Sequence, residues 1–156
     1  MSNDLTFMRR AIALSAQSGK SDEGPFGAVV VKDGRIVGEG VNRVVPTGDP
    51  TAHAEVVAIR AACEALGSHV LEGAVLYTSC EPCPMCLGAA WWARVAEIVY
   101  ANDRADAAAI GFDDNAIYEE VAAPLNARKL PIRRLGADEA LEVLKIWRAK
   151  PDRVLY

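Results

Sequence analysis

The chain has 156 residues, of which 51% are hydrophobic, and a formal net charge of −4 at pH 7. This length suits one globular domain with a substantial core, so we predict a single domain over residues 1–156. The acidic balance disfavours a broad nucleic-acid surface, because affinity for phosphates comes chiefly from Lys and Arg. The sequence contains no apolar run typical of a signal peptide or membrane span, which predicts a soluble cytoplasmic protein without membrane contact.

Helical and strand-like patterns alternate along the chain, which predicts a layered α/β domain. The turn between the first two strands falls at Asp33-Gly34, a pair that tolerates the positive φ of a tight hairpin. In chain order, the patterns predict a helix over 4–18, strands over 26–31 and 35–41, a helix over 52–66, a strand over 74–79, a helix over 84–93, a strand over 97–101, a loop leading into a short helix at 101–109, a strand around 131–135 and a helix around 137–148.

Three of the four cysteines, Cys80, Cys83 and Cys86, lie within seven positions. A disulfide framework would spread cysteines to join distant loops, so this clustering favours metal or redox chemistry. Cys83 precedes Pro84, which suits the first position of a helix, so we predict Cys83 as the N-cap and Cys86 in the first turn. The positive end of the helix dipole and its N–H groups stabilise thiolates, the form that binds zinc.

A second motif, Thr51-Ala-His-Ala-Glu55, is predicted at the start of another helix. On an ideal helix His53 and Glu55 would point about 200° apart, so both cannot face a metal beside the helix. A metal beyond the helix end removes this difficulty. If both helix N-termini converge there, His53, Cys83 and Cys86 would ligate Zn²⁺ and leave one tetrahedral position for water. Glu55 would then stay unliganded and act as the catalytic acid and base.

Other interpretations of these residues stay open. Cys80 could complete a closed Cys₃His site, which would make the chain a zinc-stabilised binding module without chemistry. A cysteine nucleophile paired with His53 is a further hypothesis, but it leaves the second motif cysteine without a role. Cys80 and Cys63 are more simply interpreted as small core residues. Asp113 and Asp114 either cap a following helix or form a functional carboxylate pair.

Four segments of the sequence are similar to a known family. They are GPFGAVVVKDG from Gly24, DPTAHAE from Asp49, SCEPCPMCLGA from Ser79 and GFDD from Gly111. Through them the whole chain resembles the bacterial guanine deaminases of the cytidine-deaminase superfamily, whose zinc signature is H-x-E followed by P-C-x-x-C. The resemblance implies a three-layer α-β-α sandwich with a central five-stranded mixed sheet. It also implies a homodimer in which the C-terminal segment is exchanged between subunits.

The same resemblance assigns roles that spacing and composition do not. Asn42 and the backbone of Ala54 would hydrogen-bond a purine, and Phe26 would stack on it. Asp114 would bind the substrate and assist proton transfer, and Tyr156, coming from the neighbouring subunit, would close the pocket. The implied reaction is zinc-dependent hydrolysis of guanine to xanthine and ammonia. Because the zinc motif does not set the substrate, cytosine, isocytosine and aminotriazines stay open as alternatives.

Overall fold

The computed structural model describes residues 3–21 and 23–155, so Tyr156, the predicted lid of the pocket, lies outside the described residues. The elements form the α/β fold that the alternating patterns predict. In chain order they are α1 (Asp4–Ser18), β1 (Gly27–Lys32), β2 (Arg35–Val41), α2 (Val44–Thr47), α3 (Ala54–Leu66), β3 (Val75–Cys80), α4 (Pro84–Trp92), β4 (Glu97–Asn102), α5 (Arg104–Ala109), α6 (Asn115–Ala122) and α7 (Ala137–Ala149), with a 3₁₀ turn at Leu125–Ala127.

The strands of the described chain form one mixed sheet in the order β2-β1-β3-β4. β1 pairs antiparallel with β2 and with β3, while β3 and β4 run parallel. Asp33 and Gly34 connect β1 to β2 with φ angles of 50° and 72°, left-handed values that suit a two-residue hairpin turn. The predicted hairpin is confirmed. Its register shifts between Val30 and Val31, where a β-bulge interrupts the pairing.

The prediction of a strand around 131–135 is wrong, and so is the prediction of a five-stranded sheet. These residues form no strand, and within the described chain the sheet ends at β4. Pro131 has no N–H to donate to a neighbouring strand. Every residue of 131–135 is exposed, so the apolar side chains of Ile132 and Leu135 are not buried against a sheet.

Helices cover both faces of this four-stranded sheet. The side chains of β1 alternate between two apolar clusters, with Val29 and Val31 in the cluster of α1 and Ala28 and Val30 in the cluster of α3 and α4. Burying an aliphatic side chain of this size stabilises a fold by about 1.5–3 kcal/mol. The sheet is therefore held by apolar packing on its two faces, as the hydrophobic run of β1 predicts.

The chain divides into two compact units, Met1–Asn115 and Ala116–Tyr156. The first contains the sheet and the helices that cover it. In the second, no described residue is buried. Large apolar side chains such as Leu130, Leu135 and Ile146 are 69–79% exposed there. Among the described helices of both units, none has the length and apolar character that crossing a bilayer requires.

Two glycines of β2 let α3 lie directly on the strand. A Cβ at Gly40 would overlap the carbonyl oxygen of Ala54 and lie 2.5 Å from the nitrogen of Ala58. A Cβ at Gly38 would overlap the carbonyl oxygen of Ala58. Backbone therefore meets backbone with no room for a side chain. Because Ala54 is the first residue of α3, Gly40 sets the position of the first turn of that helix.

The residue between these glycines faces the opposite side of the sheet. Glu39 accepts two hydrogen bonds from the guanidinium of Arg10 in α1, at 2.7 and 2.6 Å. The hydrogen bond and charge of Arg10 hold the pKa of Glu39 below its usual value, although partial burial opposes this. Alternate residues of β2 thus contact α3 and α1 in turn.

Replacing Gly40 by Ala is expected to push α3 away from β2 and to lower the free energy of unfolding by about 3 kcal/mol, because an overpacked core must shift. Gly88→Ala is the matched control, since Gly88 lies within α4 with open space around it. This control should be neutral or stabilising by about 0.5–1 kcal/mol. Urea unfolding measures both, and a Gly40→Ala variant as stable as Gly88→Ala would contradict the close packing.

Candidate metal centre

The two helices that carry the predicted ligands begin at those ligands. His53 is the N-cap of α3, with φ −68° and ψ 155°, and Cys83 is the N-cap of α4, with φ −64° and ψ 167°. Both residues are extended, so each helix starts one residue later. Pro84 lies in the first turn of α4, as predicted from its fixed φ. The helix predicted over 52–66 is α3, and it starts at Ala54 rather than at residue 52.

The structure brings His53, Cys83 and Cys86 together. Nδ1 of His53 lies 3.6 Å from Sγ of Cys83 and 3.5 Å from Sγ of Cys86, and the three donor atoms lie within 4.8 Å of one another. Tetrahedral zinc with Zn–N of about 2.05 Å and Zn–S of about 2.3 Å would separate nitrogen from sulfur by about 3.6 Å. The donors and their spacing therefore fit Zn²⁺ with three protein ligands, the number usual in catalytic sites.

The two thiols have unequal proton affinity. The pKa of Cys83 is lowered to about 4, chiefly by the hydrogen bond from Cys86 and also by His53, against the effect of burial. The pKa of Cys86 is raised, chiefly by its hydrogen bond with Cys83 and also by burial and by the charge of Glu55. The hydrogen bond to Cys83 raises the pKa of His53. A bound divalent cation would stabilise both sulfurs as thiolates and His53 as neutral imidazole, which again fits zinc.

Glu55 lies beside the ligand set and outside it. The residue is 6% exposed, its Oε1 accepts from Oγ1 of Thr78 at 3.3 Å, and its Oε2 accepts from Sγ of Cys86 at 3.5 Å. Burial is the main cause that raises the pKa of Glu55. A buried carboxylate of this kind next to a metal site can accept and return a proton. The sequence analysis does not identify Thr78, because the one sign of its role is a hydroxyl within an apolar strand.

Cys80 lies outside the His53, Cys83 and Cys86 group, the one set of clustered metal-binding side chains among the described residues. It is the last residue of β3, and its buried thiol donates to the carbonyl of Asp103 at 3.6 Å. Burial raises the pKa of Cys80 to about 11, which disfavours the thiolate that a metal needs. These surroundings favour the core interpretation of Cys80 over the closed zinc site.

Phe26 and Asn42 lie together at the end of the β1–β2 pair. The backbone N–H of Asn42 donates to the carbonyl of Phe26 at 3.2 Å. The ring of Phe26 meets Phe112 edge to face, with 4.9 Å between centroids. Asn42 is buried, and its Oδ1 accepts from the backbone N–H of Val44 at 3.0 Å. An amide has two N–H donors and a second acceptor lone pair, so the side chain of Asn42 has hydrogen-bonding capacity beyond this bond.

The two neighbouring aspartates have different partners. Oδ1 of Asp113 accepts from the backbone N–H of Asn115 at 2.9 Å, where α6 begins. Asp114 is half-buried, with Oδ1 at 3.8 Å from Nε of Arg104. Burial raises the pKa of Asp114, while the positive charge of Arg104 opposes the rise. The capping interpretation therefore fits Asp113, and Asp114 stays the candidate for a functional role.

Comparisons with known proteins agree on one family. Residues 1–102 match the family model of the cytidine and deoxycytidylate deaminase zinc-binding region. Over 155 residues the chain is 50% identical to a guanine deaminase of Bacillus subtilis (strain 168), with 99% of each chain covered. It is 47% identical over 94 residues to a tRNA-specific adenosine deaminase of Agrobacterium fabrum, covering 60% of this chain and 62% of that one.

A solved structure gives the same result for the fold. The X-ray structure of a guanine deaminase from Bacillus subtilis matches with a TM-score of 0.95 and 47% identity, covering 100% of this chain and 99% of that one.

Removing a ligand is expected to remove the metal. In His53→Ala and in Cys86→Ala the zinc content should fall from about one ion per chain to less than about a tenth, because the two remaining donors hold zinc poorly. Cys80→Ala is the matched control, since its sulfur lies in the same motif but outside the donor set. Zinc per chain after dialysis, measured by atomic emission, checks this. Loss of zinc from Cys80→Ala would support the closed site instead.

Proposed function

The chain belongs to the zinc-binding family of the cytidine and deoxycytidylate deaminases, and from this membership we propose that it hydrolyses guanine to xanthine and ammonia. One observation carries the choice of substrate. Similarity to the Bacillus subtilis guanine deaminase runs through 99% of both chains, whereas similarity to the tRNA-specific adenosine deaminase covers 60% of this one. The similarity to the guanine deaminase therefore extends beyond residues 1–102, which match the family model, and over the segment that contains Asp114.

Glu55 moves the proton in the proposed reaction. Zinc held by His53, Cys83 and Cys86 would supply Lewis acidity and lower the pKa of water at the site. Oxygen adds to C2 of guanine, and the bond from C2 to the amino nitrogen breaks. Glu55 takes the two protons of the attacking water in turn and passes one to the ring nitrogen and the other to the amino nitrogen, which departs as ammonia. Its position beside Cys86, held by Thr78, supports this role.

Four groups of the first unit are proposed to bind the base. Phe26 offers an aromatic face for stacking, and the NH₂ group of Asn42 offers a donor for a purine acceptor atom. The backbone of Ala54 lies at the start of α3, where N–H groups point out of the helix. The half-buried carboxylate of Asp114 would accept from the base and assist proton transfer. Aromatic packing with a few placed polar groups is typical of small-molecule pockets.

We further propose that the chain works as a cytoplasmic homodimer of single deaminase domains, each a three-layer α-β-α sandwich, with exchanged C-terminal segments. Exposed apolar side chains support the association. On α4, Leu87, Trp91 and Trp92 are 47%, 81% and 65% exposed. In the second unit no described residue is buried. Apolar surface of this extent is typical of protein interfaces. Tyr156 would then close the pocket of the neighbouring subunit.

Ammonia release from purified, zinc-loaded protein tests the reaction. Guanine is expected to give ammonia and xanthine, while Glu55→Gln should keep its zinc and lose about 10²–10⁴-fold in kcat, because it cannot transfer the proton. Cytosine, isocytosine and an aminotriazine form the comparison panel. Ammonia from cytosine and none from guanine would make cytosine the substrate in place of guanine. A fully active Glu55→Gln would contradict the role of Glu55.

Mixing two impaired variants tests the exchange of the C-terminal segment. Glu55→Gln and Tyr156→Ala, unfolded and refolded together, form mixed dimers. If Tyr156 acts in the neighbouring pocket, each mixed dimer contains one intact site, so activity should recover to about a quarter of wild type. Each variant refolded alone is the control. A mixture no more active than the average of the two controls would mean that Tyr156 does not act across subunits.

A further inference from the structure

A buried hydroxyl at the end of the first helix has no part in the proposed reaction. Ser18, the last residue of α1, is 3% exposed, and its Oγ donates to the carbonyl of Gly24 at 2.8 Å. Oε2 of Glu23 lies 3.3 Å from the same hydroxyl. The carbonyl of Gly24 also accepts from the backbone N–H of Phe26 at 2.8 Å. Gly24 is therefore fixed both by the end of α1 and by a residue proposed to bind the base.

Gly24 also borders both side chains proposed to contact the base. A Cβ at this position would lie 3.0 Å from Cδ2 and Cε2 of the Phe26 ring and 3.1 Å from Nδ2 of Asn42. Both distances are shorter than the usual carbon contact of about 3.5–4.0 Å. Gly24 is not among the glycines with positive φ. A Cβ at Gly24 would therefore push the ring and the amide by a few tenths of an ångström, so the constraint at this position is space and not backbone conformation.

The two side chains have little room to move away. Asn42 is 7% exposed, its backbone N–H donates to Phe26, and its Oδ1 accepts from Val44. The ring of Phe26 already packs against Phe112 at 4.9 Å between centroids. An atom added at Gly24 would press on groups that other neighbours already hold.

We propose that Gly24 and the hydroxyl of Ser18 are positioning residues, which set where Phe26 and Asn42 stand in the base pocket. The proposal rests on the proposed function, because it concerns the pocket assigned there to guanine. Gly24 borders the residues proposed to bind the base rather than the metal ligands, and Ser18 acts on them through Gly24. A change at either position should therefore weaken binding of the base more than it slows proton transfer.

Steady-state kinetics of Gly24→Ala with guanine test the first half of the proposal. KM is expected to rise about tenfold and kcat to change less than about threefold, with zinc per chain unchanged, because a displacement of 1 Å can cost about a hundredfold and this one is smaller. In a Phe26→Leu background the smaller side chain accommodates the new Cβ, so Gly24→Ala should raise KM less than about threefold. An unchanged KM, or equal effects in both backgrounds, would overturn the role of Gly24.

The hydroxyl is tested by a matched pair of variants. Ser18→Ala should raise KM about threefold, since Gly24 keeps its bond from Phe26. Ser21→Ala is the control, because its hydroxyl donates at 2.8 Å to the carbonyl of Ser18 rather than to Gly24. It should leave KM unchanged. Equal effects of the two variants would overturn the role of Ser18.

A measurement without substrate separates this proposal from the proposed function. In ¹⁵N NMR of zinc-loaded protein, the side-chain NH₂ signals of Asn42 should shift in Gly24→Ala and stay in place in Ser21→Ala. If wild-type protein released no ammonia from guanine, the proposed function would fail, while the shifted signals would still support the positioning role. Unshifted Asn42 signals in Gly24→Ala would overturn that role whatever the activity.

Discussion

The direct contact between the backbones of α3 and β2 is the constraint on which the metal centre depends. Gly40 leaves no room between the strand and the carbonyl of Ala54, so the first turn of α3 has one position. His53 precedes that turn, and its imidazole thereby meets the sulfur atoms at the start of α4. Both helices direct the positive ends of their dipoles toward a site that gathers thiolates and a carboxylate. A residue that contacts no ligand atom thus determines where the ligands stand.

Burial gives each charge at this site a specific partner. Glu55 is the one buried carboxylate among the described residues, and two donors contact it. Cys83 has Cys86 and His53 beside it. An isolated charge in such surroundings would be costly, so the site is stable only as a set. Replacement of one member therefore changes the surroundings of the others.

Local signals in the sequence predict much of this structure, because each acts on the backbone of the residues that carry it. Asp33-Gly34 forms the hairpin turn and Pro84 opens its helix, as their φ preferences require. The family of the chain also follows from short motifs. The strand predicted around 131–135 is absent, because a short segment carries no information on whether a neighbouring strand is present to pair with it. The contacts of Thr78 and Gly40 join segments distant in the chain, and no local pattern reports them.

The alternation of β2 between α3 and α1 restricts how the first hairpin can change in length. Gly38 and Gly40 contact α3, while Glu39 reaches Arg10 on the opposite face, and the bulge near Val30 fixes this register. A slip of one position would bring a carboxylate against the helix backbone and turn both glycines to the wrong face. A residue added or lost between Glu39 and the turn would therefore have to be absorbed by the turn or by the bulge, so that Gly38, Glu39 and Gly40 keep their faces.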